Sequence, residues 1–207
     1  MEISYWKDEH AHMAMCLLAV VVLFVFFSPR VRYDGIRYIA PARSLLVDGD
    51  LNTYNEDSFY TRPGWNSVVR RQVRGDLRQM VKYENAPDYT PNGYRHVVFP
   101  IGNTMAWLPV MTLTHLFMKV SLGMFGSFAA DGFSIPYILT LGWFSFAIGI
   151  LACIVAYRLL RLWYSPGVSW LALLFGFCAG NIIPFLAVDV TFSHSLDFLY
   201  VNLILLL

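Results

Sequence analysis

The side chains best suited to chemistry in this sequence stand just outside long apolar runs. Asp34 follows the first run by a few residues. A carboxylate at such a boundary can act as a general base or bind a metal ion. Asp followed by Gly, Ile and Arg also suits a helix N-cap, and one residue can do both. The stretch Asp48-Gly-Asp50-Leu-Asn52 begins like a calcium loop. Its sixth position should then be Gly and is Thr53, and its twelfth should be Glu and is Phe59. A helix end followed by an Asx-type turn accounts for it better. Arg95 and His96 together suit a phosphate; beside Tyr94 and Trp107 they equally suit anchoring at lipid headgroups. Asp189, His194 and Asp197 gather at the mouth of two further apolar runs, where ionisable groups lean towards function. A satisfied interfacial histidine is the plainer alternative there.

The elements that must hold these groups follow from composition. The chain has 207 residues, 57% hydrophobic and only 14% charged, where a soluble domain is nearer a quarter charged, by the usual ~25%. The net charge of +1 gives no reason to expect a nucleic-acid partner. Eleven of the fifteen Lys and Arg lie within residues 30–95, which is the profile of a membrane protein with one sizeable aqueous loop. Cys16, Cys153 and Cys178 all sit inside apolar runs and read as small hydrophobes rather than metal ligands.

Residues 11–29 read as a first span that is not cleaved, because the leader is acidic and Ser-Pro-Arg is a poor cleavage site. Residues 137–157 and 168–188 are each free of charge and long enough to cross a ~30 Å hydrocarbon core as helices. Apolar sequence from 198 to 207 begins another span, and the chain is expected to be part of a longer membrane protein. Within the polar loop, Ile36, Ile39, Ala40, Leu46 and Val47 recur at helical spacing, and Gly49 can stop that helix. Residues 67–82 read as a second amphipathic helix or a strand pair, and 85–93 as a Pro/Asn/Gly loop. Residues 105–120 are apolar but carry Pro109, His115 and Lys119, so they make a weak span or a helix at the interface. If they span, the charge rule puts the 30–95 loop inside. If they lie on the surface, the loop is outside and Arg158 and Arg161 are inside. The residues alone leave both topologies open.

Taken in order, these pieces resemble the N-terminal part of the GT-C-fold membrane glycosyltransferases, which use polyprenyl- or dolichyl-phosphate sugars. The carriers are Asp34 with Tyr38, the stretch 42–51 followed by Tyr54-Asn55-Glu56, then His96, Pro100, Gly102, Leu108 and Pro109. The segments 157–163 and 193–198 complete the set. Each piece is short, and the order carries the likeness. It implies an all-α, multi-pass membrane bundle of the bacterial inner-membrane kind, with a truncated GT-C-like fold. Spans would cover 11–29, 133–161 and 168–188, with a fourth beginning at 195–207. An extracytoplasmic loop would run from 30 to 132, with juxtamembrane helices near 35–48, 67–82 and 103–120.

The likeness further implies inverting transfer from a polyprenyl-phosphate sugar donor to an acceptor that the sequence does not identify, with Asp34 as base. Cations would stabilise the departing phosphate; Arg37, Arg43, Arg95 and His96 are the candidates, with His194 as a further substrate-binding residue. His194 stands where some members carry a second acid, so a divalent metal and a metal-independent site both stay open. The contrasting expectation is a non-enzymatic membrane subunit or transporter component with five spans and the 30–95 loop cytoplasmic.

Overall fold

The computed structural model describes residues 20–21, 24–29, 31, 34–53, 56, 59, 101–121, 129–180, 183–189, 191 and 193–207, without the side chains of Asp34 and 177–179. The fold is all-helical, with no strand among the described residues. Among the described residues five α-helices follow one another: α1 Asp34–Arg43, α2 Gly102–Ser121, α3 Ile135–Leu160, α4 Pro166–Ala179 and α5 His194–Leu206. Single π-helical turns occupy Ser44–Asp48 and Pro184–Val188. The chain divides into two compact units, Pro29–Phe144 and Met1–Ser28 with Ser145–Leu207, the division falling within α3.

In the Pro29–Phe144 unit, α1 buries Ile36, Ile39 and Ala40 of the stripe that the sequence spacing marks out, and Ala42 beside them. That stripe meets Trp107, Met111 and Met118 of α2, with Tyr137, Ile138 and Leu141 of α3 completing the core. Tyr38 stands edge-on to Trp107, and its carbonyl accepts a 3.0 Å hydrogen bond from the Thr104 hydroxyl. Helix α2 carries large apolar residues on both its buried and its outward faces, and buries polar ones as well. Its buried face carries Asn103, Thr104, Thr114, His115 and Ser121, while Leu113, Phe117 and Val120 point outward, Val120 at 85% exposure. Apolar residues turned outward along a helix suit lipid or a partner rather than water.

Helix α3 alone is long and apolar enough to cross a membrane among the described residues. In the other unit, its later turns pack Phe146 and Ala156 against Leu173 of α4 and against Leu186 and Ala187 of the second π turn. Helix α4 starts with Pro166 at its first turn, where a missing N–H costs nothing. The segment 168–188 is not one continuous helix. Helix α4 ends at Ala179, Gly180 is extended at φ −106 and ψ 175, and helical backbone resumes at Ile183. The sequence expectation of a helix near 67–82 lies outside the described residues.

Candidate functional site

The best-defined polar site is built at the C-terminal end of α1. Pro41, inside the helix, has no N–H to give to the Arg37 carbonyl. Three residues on, the ladder widens into the π turn, closed by Gly49 N–H donating to the Ser44 carbonyl at 2.9 Å. Gly49 sits at φ 75, the left-handed conformation that ends helices. Past it, Asp50 Oδ1 accepts from the Ser44 hydroxyl at 2.6 Å and from the Asn52 N–H at 3.0 Å. The calcium-like stretch is therefore a helix end followed by an Asx-type turn.

Arg43, only 7% exposed, organises the site. Its Nε donates to the Asp131 carbonyl at 2.9 Å, across 88 residues of sequence. Its Nη1 donates to Asp48 Oδ2 and, at 2.6 Å, to Glu56 Oε1. The guanidinium lies 4.2 Å from the centre of the Phe133 ring, and Phe59 stacks on that ring at 3.6 Å. Gly132, at φ 80, comes so close that a Cβ there would sit 2.4 Å from Arg43 Cγ. Asp131 fixes this turn, with Oδ1 accepting from the N–H groups of Phe133 and Ser134 at 2.8 and 2.9 Å just before α3 begins. Burial pushes the Glu56 carboxyl up to about 7, outweighing the Arg43 hydrogen bond that favours its charged form.

A second buried polar contact ties α2 to α3: His115 Nδ1 is hydrogen-bonded to Tyr137 Oη at 2.6 Å. Burial, with Lys119 adding to it, lowers the His115 pKa below the ordinary 6.5 and keeps the ring neutral near neutral pH.

The residues singled out by sequence fare differently. Asp34 is the first residue of α1, with Arg37 one turn further along the same face by position and half-buried. Tyr38, the partner of Asp34 in its motif, is a core residue. The expectation that Arg43 faces a lipid phosphate does not fit its surroundings. Its Nε and Nη1 are committed within the protein, Nη1 to the carboxylates of Asp48 and Glu56. Arg95 and His96 lie outside the described residues. His194 opens α5, half-exposed, with its ring 4.0 Å from that of Phe185 and Nδ1 4.0 Å from Asp197 Oδ2. Asp34 and His194 belong to different units.

Sequence reasoning missed Asp131 and Phe133, and took Glu56 only as the end of the Tyr54-Asn55-Glu56 motif. An Asp-Gly pair before an apolar run was the available signal for the Asp131 turn. Nothing in the local sequence marks Glu56 as buried. Among the described residues, no three His, Cys, Asp or Glu side chains come together as ligands for a metal. Compared with protein-family models, with curated proteins and with solved structures, the chain matches none.

Proposed function

We propose that this protein is an integral membrane glycosyltransferase of the GT-C type, taking a sugar from a polyprenyl-phosphate donor on the extracytoplasmic side. The observation that carries the reading is the ordered series of motifs, beginning with Asp34 and Tyr38 at the start of α1. Support comes from the way α1 is held. Its buried stripe and the Arg43 cluster fix the helix on α2 and the turn before α3, so its first residue has a firm base. The outward apolar face of α2 and the length of α3 suit a membrane setting.

In this reading Asp34 accepts the proton of an acceptor hydroxyl as its oxygen attacks the anomeric carbon. The bond from that carbon to the phosphate oxygen breaks with inversion, and the polyprenyl phosphate leaves. Arg37, one turn along from Asp34, is the α1 cation suited to the departing phosphate, with Arg95 and His96 as further cations and His194 as a further substrate contact. A divalent ion remains compatible with this chemistry, as does a site without one.

The test is Asp34→Asn in the intact gene, assayed in membranes for transfer from a polyprenyl-phosphate sugar at matched protein level. Loss of a general base should lower the rate by about 100-fold or more. Unchanged transfer would overturn the assignment of Asp34.

A further inference from the structure

Helix α2 begins at Gly102, and its N-terminal end is rich in unused donors. The first turn closes with Met105 N–H donating to the Ile101 carbonyl at 2.9 Å. The N–H groups of Gly102, Asn103 and Thr104 therefore have no acceptor within the helix. Ile101 stands where Ser, Thr, Asp or Asn would cap them, and it has no side-chain oxygen. No acid lies in the first turn. The end is also open, since a Cβ added to Gly102 would meet nothing within 4 Å.

Asn103 adds a second, independent sign. It is only 5% exposed, yet its Nδ2 is buried with no hydrogen-bond partner among the described residues. A buried amide N–H without an acceptor is costly, and an acceptor brought in by a ligand removes that cost. Side chains on a helix lean toward its N-terminus, so the Asn103 amide lies over the same end as the unused N–H groups. Donors gathered there suit an acceptor oxygen, and the positive end of the helix dipole favours a charged one. The place is close to Asp34 along the fold. The Thr104 hydroxyl fastens the start of α2 to the Tyr38 carbonyl at 3.0 Å, and Tyr38 follows Asp34 by one turn of α1.

We propose that the N-terminus of α2, together with Asn103 Nδ2, binds the phosphoryl group of the polyprenyl-phosphate donor. This rests on the glycosyltransferase reading above and adds to it a binding residue that no charge pattern marks. As the bond from the anomeric carbon to the phosphate oxygen breaks, negative charge grows on the phosphate. N–H donors fixed at a helix end meet that charge without reorganising.

Binding of polyprenyl monophosphate to the full-length protein in phosphatidylcholine nanodiscs tests it, with sugar transfer measured alongside. In Gly102→Asp the new carboxylate has room and suits the helix dipole, so thermal stability should hold or rise. The same carboxylate would take the free N–H groups and repel the phosphate, so the dissociation constant should rise by about tenfold or more. Asn103→Ala should weaken binding by about tenfold; if it does not fold, Gly102→Asp decides. Unchanged binding in Gly102→Asp, or in a folded Asn103→Ala, would overturn the site. Should Asp34→Asn still abolish transfer in that case, the glycosyltransferase reading stands without it. Binding that depends on Asn103 in a protein that transfers no sugar would support the site and overturn the reaction. Inorganic phosphate and phosphatidylglycerol vesicles serve as competitors. Displacement by either one as effective as that by polyprenyl phosphate would overturn the donor as the occupant.

Discussion

The π turns Ser44–Asp48 and Pro184–Val188 share a backbone device and a length of five residues, but they are packed by opposite means. The first carries Asp48 to Arg43 and stands beside Glu56, so ion pairs and hydrogen bonds hold its surroundings. The second buries Leu186 and Ala187 among Phe146, Ala156 and Leu173. A 2.7 Å hydrogen bond from Ser28 N–H to the Ala187 carbonyl ties it to the N-terminal segment. A π turn widens the helix by one residue and leaves a neighbour to fill the space. Charge fills it in the Pro29–Phe144 unit and a leucine fills it in the other. The charged turn depends on pH and on each partner being present. The apolar turn depends on shape.

Removing the cation should have the largest effect. Arg43→Met removes the guanidinium that Asp48 and Glu56 share and is expected to cost about 3–5 kcal/mol near neutral pH, as for a buried pair broken on one side. Unfolding in detergent, followed by helix signal, measures it. The same measurement on the unsubstituted protein should show the proton linkage of Glu56. Its carboxyl titrates at about 7 when folded against an ordinary value of 4.5, so the folded state holds the extra proton. Stability is therefore full below about pH 4.5 and declines as pH rises to about 7. A cost for Arg43→Met under about 1 kcal/mol, the scale of an exposed pair, would show that charge does not hold the first turn.

Two glycines sharpen the point within one unit. Gly49 and Gly132 have nearly the same left-handed φ, 75 and 80. Around Gly49 there is open space, whereas a Cβ on Gly132 meets Arg43 Cγ at 2.4 Å and Val47 Cγ2 at 3.2 Å. Gly49→Ala should cost only the backbone term, about 1–2 kcal/mol. Gly132→Ala adds overpacking of about 1–3 kcal/mol, because an arginine pinned at Nε and Nη1 cannot swing its Cγ aside. Equal costs, compared by unfolding midpoint under one set of conditions, would mean that Arg43 is not held as tightly as its hydrogen bonds imply.

The sequence made local patterns visible and hid the long-range ones. The α1 stripe was legible because Ile36 and Ile39 repeat at helical spacing, and its end was legible because Gly49 supplies the left-handed residue. The length and apolar character of α3 were legible for the same local reason. Helix α2 resisted a clear reading because both of its faces carry large apolar residues. Only contacts from α1 and α3 select the face with Trp107 and His115 for burial. Arg43 was picked out as a cation, but its role depends on Asp131, 88 residues away, and no spacing rule links the two. Glu56 was visible as the end of a short motif, but nothing local shows that it is buried against Arg43. Asp34 drew attention by its place after an apolar run, a local signal, and its role rests on the proposed reaction.

The smallest effect is expected at the second turn, where Gly149 of α3 faces Leu186. An added Cβ would stand 3.0 Å from Leu186 Cδ2 and 3.4 Å from its Cβ. The methyl end must yield by a few tenths of an ångström, while alanine favours helix over glycine by up to about 1 kcal/mol. These terms oppose each other, so Gly149→Ala should change stability by less than about 1 kcal/mol. Gly167→Ala in α4 provides the reference, because nothing lies within 4 Å of a Cβ there. Subtracting the two shifts in unfolding midpoint removes most of the backbone preference and leaves the contact with Leu186. If that remainder approached the cost of Arg43→Met, the apolar turn would be as exacting as the charged one. A remainder of a few tenths of a kcal/mol would show that a leucine side chain can adjust where a buried ion pair cannot.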